Sequence, residues 1–88
     1  MRIEIRKYGD LLVSRPAGRE AAAAMLAYLP EVGPEEPIEL DFDGVLVVAP
    51  SWLDEVLQGL RERFGDRVRC LASKNESLAA SLAVLTET

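Results

Sequence analysis

Two carboxylates separated by one residue are the first chemical candidates in this 88-residue chain. Asp41 and Asp43 flank Phe42 at the end of an apolar segment, and Gly44 follows them. Paired carboxylates at the end of a strand could hold a magnesium ion, and one of them could attack a bound phosphate. The alternative is structural, because aspartate tolerates the backbone of an Asp-Gly turn at a strand end.

A second candidate group opens the most periodic stretch of the chain, where Ser51, Trp52, Asp54 and Glu55 follow Pro50. Ser51 is typical of a helix N-cap, with Asp54 three residues later as in a capping box. Both carboxylates are favourable near a helix N-terminus, which explains them without a partner, although a role in binding stays open. Trp52 lies at the edge of the apolar stripe, where it either packs partly against a neighbouring strand or loop or anchors an interface.

Composition narrows the class of function. Ten basic and 15 acidic residues give a net charge of −5, which argues against a nucleic-acid partner. The chain has no His, and therefore lacks the usual proton-transfer side chain and every His-based metal site. The single cysteine, Cys70, cannot form an intramolecular disulfide, and we expect an unreactive core thiol. No apolar run is long enough to cross a bilayer and no signal peptide is evident, so we expect a cytoplasmic protein without a membrane partner.

Hydrophobic periodicity predicts one α/β domain over residues 1–88, with the element order β-β-α-β-α-β-α. The turn at residues 8–10 favours a hairpin between the first two strands, and the alternation of strands with helices favours a mixed four-stranded sheet. The predicted strands are residues 2–6, 11–14, 38–42 and 67–72. The predicted helices follow residues 16, 50 and 76. Residues 45–49 are either more strand or a buried connection. The apolar stripe of the central helix comprises Leu53, Val56, Leu57, Leu60 and Phe64.

Residues 41–44 resemble the opening motif of the haloacid dehalogenase-type phosphatases. That resemblance implies that Asp41 is the nucleophile and Asp43 the acid/base beside a magnesium ion. The family also requires a Ser or Thr, a Lys and a later acidic pair; only Ser73 and Lys74 could supply the middle pieces, and the acidic pair is missing. Because the chain after Asp41 is also too short for a doubly wound core, a phosphatase fragment is kept as the alternative only.

A longer pattern resembles the STAS superfamily, above all its STAS-like branch of unknown function. The pattern consists of LDFDGV at residues 40–45, an apolar run, and then residues 51–55, with Ser14 and Arg15 before an Ala-rich helix. The resemblance implies a mixed sheet with helices mainly on one side. In the anti-sigma-factor antagonists of this superfamily, a kinase-like anti-sigma factor phosphorylates a serine at the start of the central helix and thereby switches binding off. Ser51 aligns with that serine and is the candidate phosphorylation site.

We therefore predict a non-catalytic, protein-binding regulatory module of a bacterial signalling or partner-switching system, with no metal and no cofactor. The partner is a protein, and the resemblance implies a kinase-like ATPase. Docking is expected at the N-terminus of the helix that starts at Ser51, through Ser51, Trp52, Asp54, Glu55 and the turn residue Asp43.

Two further expectations concern the surface. Arg15 is predicted to form a salt bridge with Glu20 or a nearby loop, and its alternatives are to anchor a partner's acidic group or to pair with Asp41 or Asp43. A self-associating structural domain, either a monomer or a weak homodimer, is the remaining alternative to a regulatory module. Its dimer face would be the last helix, with Leu78, Leu82, Val84 and Leu85.

Overall fold

A computed structural model describes residues 1–29 and 32–86 of the chain. Within these residues the elements are strands β1 (Arg2–Glu4), β2 (Leu11–Leu12), β3 (Ile38–Asp41), β4 (Val47–Val48) and β5 (Val68–Cys70), and helices α1 (Arg15–Ala27), α2 (Pro50–Phe64) and α3 (Glu76–Thr86). Short 3₁₀ turns occupy Ile5–Tyr8 and Gly65–Arg67. None of the helices in the described part of the chain is long and apolar enough to span a bilayer.

The strands form two small sheets in which every pairing between described residues is parallel. The large sheet has the order β1-β3-β5, and the small sheet consists of β2 and β4. The predicted hairpin is therefore wrong: the 3₁₀ turn Ile5–Tyr8 separates the first two strands, and each pairs with a later part of the chain. The single mixed sheet of four strands is replaced by these two parallel sheets, and the apolar run at residues 45–49 contains β4.

A single apolar core joins the sheets to the helices. The predicted stripe of α2 is confirmed, because all five of its residues are buried. The largest fully buried side chains are Trp52, Phe42, Ile5, Met25, Ile38, Leu40, Leu53, Leu60, Val48 and Val56. Cys70 packs half-buried against this core, and burial raises the pKa of its thiol, as expected for an unreactive cysteine.

Helices α1 and α2 approach each other closely because glycine and alanine face each other between them. A Cβ atom on Gly59 would lie 2.9 Å from the Cβ of Ala22, and one on Gly18 would lie 2.7 Å from the carbonyl oxygen of Trp52. Such distances leave no room for a side chain at either glycine. The contact fixes the start of α2 against the first turns of α1.

Helix α3 is tied to the small sheet by its polar side chains. The Oδ1 atom of Asn75 accepts a hydrogen bond from the Leu78 N–H at 3.1 Å and caps the helix. Its Nδ2 donates to the Val45 carbonyl at 2.7 Å, and the hydroxyls of Ser77 and Ser81 donate to the Val48 carbonyl at 3.1 and 2.6 Å. These bonds hold β4 and the loop before it in place.

Candidate functional site

The first turn of α2 is joined to the start of α1 by a cluster of charged side chains. Arg15 donates through Nη1 to Asp54 and to Glu55, both at 3.0 Å. Arg19 lies 3.6 Å from Glu55, and the Gln58 amide donates to both oxygens of Asp54 at 2.9 and 3.0 Å. The two carboxylates that sequence analysis placed in the docking surface therefore also bridge the helices.

The charges of this cluster stabilise one another. The hydrogen bond from Arg15, and then that from Gln58, lowers the pKa of Asp54, while Asp54 and Glu55 raise the pKa of Arg15. The side chains of Asp54 and Glu55 remain 27% and 18% exposed, so both still present an acidic edge to solvent. A partner would meet carboxylates that are already oriented by an arginine.

Arg15 has different partners from those predicted. Its guanidinium binds the first turn of α2, and not Glu20, Asp41 or Asp43. Glu20 lies on α1, is exposed, and forms no ion pair with any residue in the described ranges. The spacing of charges along α1 could not reveal this, because Arg15 and its partners are about 40 residues apart in the chain.

Trp52 is a core residue and not a partly exposed residue of the rim. The residue is 1% exposed, and α1 packs against its backbone at Gly18. Trp52 nevertheless lines a small groove between β2 and α1. Its role as an interface anchor stays a prediction. The small residues of α1, Gly18 and Ala22, are the sequence signal that the two helices approach each other closely there.

Ser51 lies inside the helix and does not cap it. Helix α2 begins at Pro50 after the N-cap residue Ala49, which makes no side-chain capping bond, so the predicted capping box is absent. A proline suits the first helical position, so the N-cap lies two residues before the predicted one, at Ala49 instead of Ser51. The half-buried hydroxyl of Ser51 donates to the Val13 carbonyl at 3.5 Å, beside the end of β2. Phosphorylation of Ser51 stays a prediction.

The aspartates of the Asp-Gly turn adopt the structural alternative. Asp41 accepts the Asp43 N–H at 3.0 Å on one oxygen, and Nη2 of Arg2 at 2.9 Å on the other. The backbone bond from Asp43, together with the bond from Arg2, lowers the pKa of the Asp41 carboxyl. Gly44 completes the turn with a φ of 85°, a conformation that favours glycine. Both oxygens of Asp41 are thus occupied within the chain.

The carboxylate of Asp43 faces a surface cavity of about 560 Å³. This cavity separates the loop after β3 from the loop before α3, and Ser73, Lys74 and Glu76 line its other side. Asp41, the residue that would attack phosphorus, does not line it. Within the described residues, no group of three or more Cys, Asp or Glu side chains could hold a metal ion.

Four exposed apolar residues lie on and next to the strands of the small sheet, and sequence analysis missed them. Leu11 and Val47 are opposite each other in the parallel register and are 61% and 39% exposed. Val13 and Leu46 extend this surface at 57% and 66% exposure. We call these four residues the apolar row. The signal lies in the pairs Leu11-Leu12 and Val47-Val48, since a strand buries one residue of each pair and exposes the other.

The predicted docking residues fall on either side of the apolar row. Ser51 contacts Val13 at one end, and Asp54 and Glu55 follow it on α2. Asp43 shares its cavity with Leu46 at the other end. In the part of the chain that the structure describes, no hydrogen bond or ion pair joins Asp43 directly to the first turn of α2.

Parallel strands, three helices and an Asp-Gly turn that leads through a short strand into a central amphipathic helix define a STAS-like α/β domain. The family described as "STAS-like domain of unknown function (DUF4325)" matches residues 25–73, and the chain belongs to this family. No curated protein and no solved structure matches the chain.

Proposed function

We propose that this chain is a non-catalytic protein-binding module that uses the apolar row and its polar neighbours as the docking surface. The observation that carries the proposal is the exposure of four large apolar side chains, two on the small sheet and two next to its strands in the chain. Scattered apolar residues are common on surfaces, but a contiguous group marks an interaction site. Ser51, Asp54, Glu55 and Asp43 would form the polar rim of that site.

The partner is proposed to be a signalling protein, and likeness to the STAS superfamily makes a kinase-like ATPase the first choice. A cytoplasmic location in a bacterium fits that role. Phosphorylation of Ser51 would add negative charge beside Asp54 and at the end of the apolar row. A charged, hydrated phosphate at this position would weaken the docking of an apolar partner surface.

Affinity capture with two matched variants tests the docking surface. Val47→Lys places a charge in the apolar row, and Val84→Lys makes the same change at an exposed valine of α3 (39% and 48% exposed, respectively). We expect Val47→Lys to lose the proteins that the unmodified chain captures from its host, and Val84→Lys to retain them. Equal recovery with both variants would remove the apolar row from the proposal.

A magnesium-dependent phosphatase is the second candidate, favoured by the cavity that brings Asp43 together with Ser73 and Lys74. The occupied oxygens of Asp41 oppose it. We expect no turnover of a generic phosphate ester in the presence of magnesium. Turnover that disappears in Asp41→Asn would establish the enzyme instead.

A further inference from the structure

Strand β2 has one paired edge and one open edge. The carbonyl of Asp10 accepts the Val47 N–H at 3.0 Å, and the carbonyl of Leu12 accepts the Ala49 N–H at 2.8 Å. In a planar trans peptide group the N–H points away from the C=O. The N–H groups of Leu11 and Val13 therefore point to the opposite edge, where no backbone group of the described residues pairs with them.

Within the described residues, the open edge of β2 is protected only by its short length of two residues. Exposed edges normally carry lysine, proline, a bulge or a covering element, which prevent another strand from pairing there. Here the two residues whose N–H groups face the open edge are Leu11 and Val13, and both side chains are more than half exposed. Free backbone donors flanked by apolar side chains are what an added strand requires.

A groove between this edge and α1 offers a pocket for a side chain. Its volume is about 260 Å³. Its lining includes Leu11 and Leu12 on the strand, Tyr8 before it, and Trp52 of α2. On the other side lie Ala17, Ala21 and Ala24, which recur along one side of α1. Small residues on the helix leave room for an aliphatic side chain from a strand lying along β2.

The polar groups of the groove are acidic. Glu20 lines it, and Asp10 immediately precedes β2. Both residues are exposed, and neither forms an ion pair within the described ranges. Arg15 and Arg19, the basic residues at the start of α1, are engaged with α2 instead. The occupant that complements the groove therefore carries a basic residue.

We propose that the protein partner binds by adding an extended strand to the open edge of β2. One apolar side chain of this strand enters the groove beside α1, and a basic residue next to it faces Glu20 and Asp10. The inference rests on the proposed function, since it specifies how a partner engages the apolar row.

A synthetic peptide tests this geometry directly. The probe is the heptapeptide Lys-Thr-Val-Thr-Val-Thr-Lys, blocked at both ends and titrated against the full chain up to about 1 mM. Two further versions carry N-methyl groups. In one version both valines are N-methylated, and in the other the first two threonines are. Because alternate amides face opposite edges, we expect one version to lose roughly tenfold or more in affinity and the other to bind like the parent. A version with Glu in place of Lys should bind more weakly.

Three variants of the protein locate the binding. Val13→Pro removes an edge donor, Ala17→Leu fills the groove from an exposed position, and both should weaken peptide binding. Glu20→Lys should reverse the preference and favour the Glu peptide over the Lys peptide. Val84→Lys is the control and should bind like the unmodified chain. Ala17→Leu and Glu20→Lys keep the test valid if Val13→Pro fails to fold.

The outcomes separate this inference from the proposed function. No binding of any peptide, or equal loss with both N-methylated versions, would overturn strand addition. Self-association that Val13→Pro abolishes would assign the edge to a second copy of the chain and would also overturn it. The proposed function survives either result if Val47→Lys still loses its captured partners.

Discussion

The two sheets of this domain share parallel pairing but present opposite kinds of surface. Across the large sheet, Arg2 lies opposite Glu39, and Glu39 lies opposite Arg69, so the charges alternate from strand to strand. Across the small sheet, the corresponding position holds the exposed pair Leu11 and Val47. Opposite charges on neighbouring strands stabilise the sheet and keep it soluble, whereas exposed apolar pairs gain more from a partner.

The free edges of the sheets differ in the same way. Near the edge of β1, Glu4 pairs with Lys7 at 3.3 Å and with Arg6 at 3.6 Å, and Arg2 binds Asp41. Charged side chains of this kind discourage edge-to-edge association. The edge of β2 has no such cover among the described residues. The difference teaches that the edge of β1 is protected against pairing by its charges, whereas the edge of β2 is not.

The largest expected difference in stability is between a substitution in the buried side of α2 and one in the apolar row. Trp52→Ala should destabilise the domain by about 3–5 kcal/mol, because it removes a fully buried indole. Leu46→Ala should change the free energy of unfolding by no more than about 0.5 kcal/mol, because Leu46 is 66% exposed. Urea unfolding of both variants measures the difference. Equal losses would mean that the row belongs to the folding core and would break the comparison of the two sheets.

A smaller effect is expected where α1 meets α2. Gly18→Ala should destabilise by about 1–3 kcal/mol, because the added Cβ would meet the backbone of Trp52 at 2.7 and 2.9 Å. The better helix propensity of alanine offsets only part of this cost. Gly33→Ala is the matched control, since its Cβ would have no neighbour closer than 3.8 Å. Thermal unfolding should show a lower Tm for Gly18→Ala alone; a gain in stability would show that the helices can move apart.

The loop before α3, which contains Asn75, provides the next test. Asn75→Ala should cost about 1 kcal/mol, because it removes the cap of α3. It also frees the Val45 carbonyl, which precedes Leu46 of the apolar row. Asn75→Asp keeps the capping oxygen but loses the donor, and should fall between alanine and asparagine in chemical denaturation. A full loss in Asn75→Asp would show that the bond to Val45, and not the cap, carries the stability.

The smallest expected effect concerns pH at the charged cluster. The hydrogen bond from Arg15 is the main reason that the pKa of Asp54 in the folded state lies below 3.8. The pair therefore stabilises the fold fully above pH 3.8, and this stabilisation is lost as the pH falls through the folded-state pKa. Arg15→Gln should therefore make the free energy of unfolding less dependent on pH below about 4. Arg19→Gln, which loses only a 3.6 Å contact, is the control. The same acid dependence in all three proteins would exclude a role of Arg15 in stability.

The sequence predicted much of the secondary structure but not how the strands associate. Periodicity identifies the buried face of α2, because the stripe repeats at the helical spacing. It does not say which strand lies beside which, and the 3₁₀ turn at Ile5–Tyr8 replaced the expected hairpin. The family resemblance, by contrast, came from residue types between 40 and 55 and is confirmed by the match over residues 25–73.

The docking surface shows why site prediction from one sequence was partial. Trp52 carries the residue type of an interface anchor, yet it is buried, and the helix that packs against its backbone does so at Gly18, 34 positions earlier in the chain. Leu11 and Val47 have the residue types of a core, yet the two-residue strands expose them. Exposure is a property of the tertiary contacts, so residue type alone does not show which of these positions are buried.

Amide hydrogen exchange tests most directly whether the small sheet is open on one side. The N–H groups of Val47 and Ala49 donate to β2, and we predict that they are protected from exchange. The N–H groups of Leu11 and Val13 lie on the opposite edge of β2 and should exchange like those of an unstructured peptide. Protection of Leu11 and Val13 equal to that of Val47 would contradict the account, because it would show that the edge is already paired.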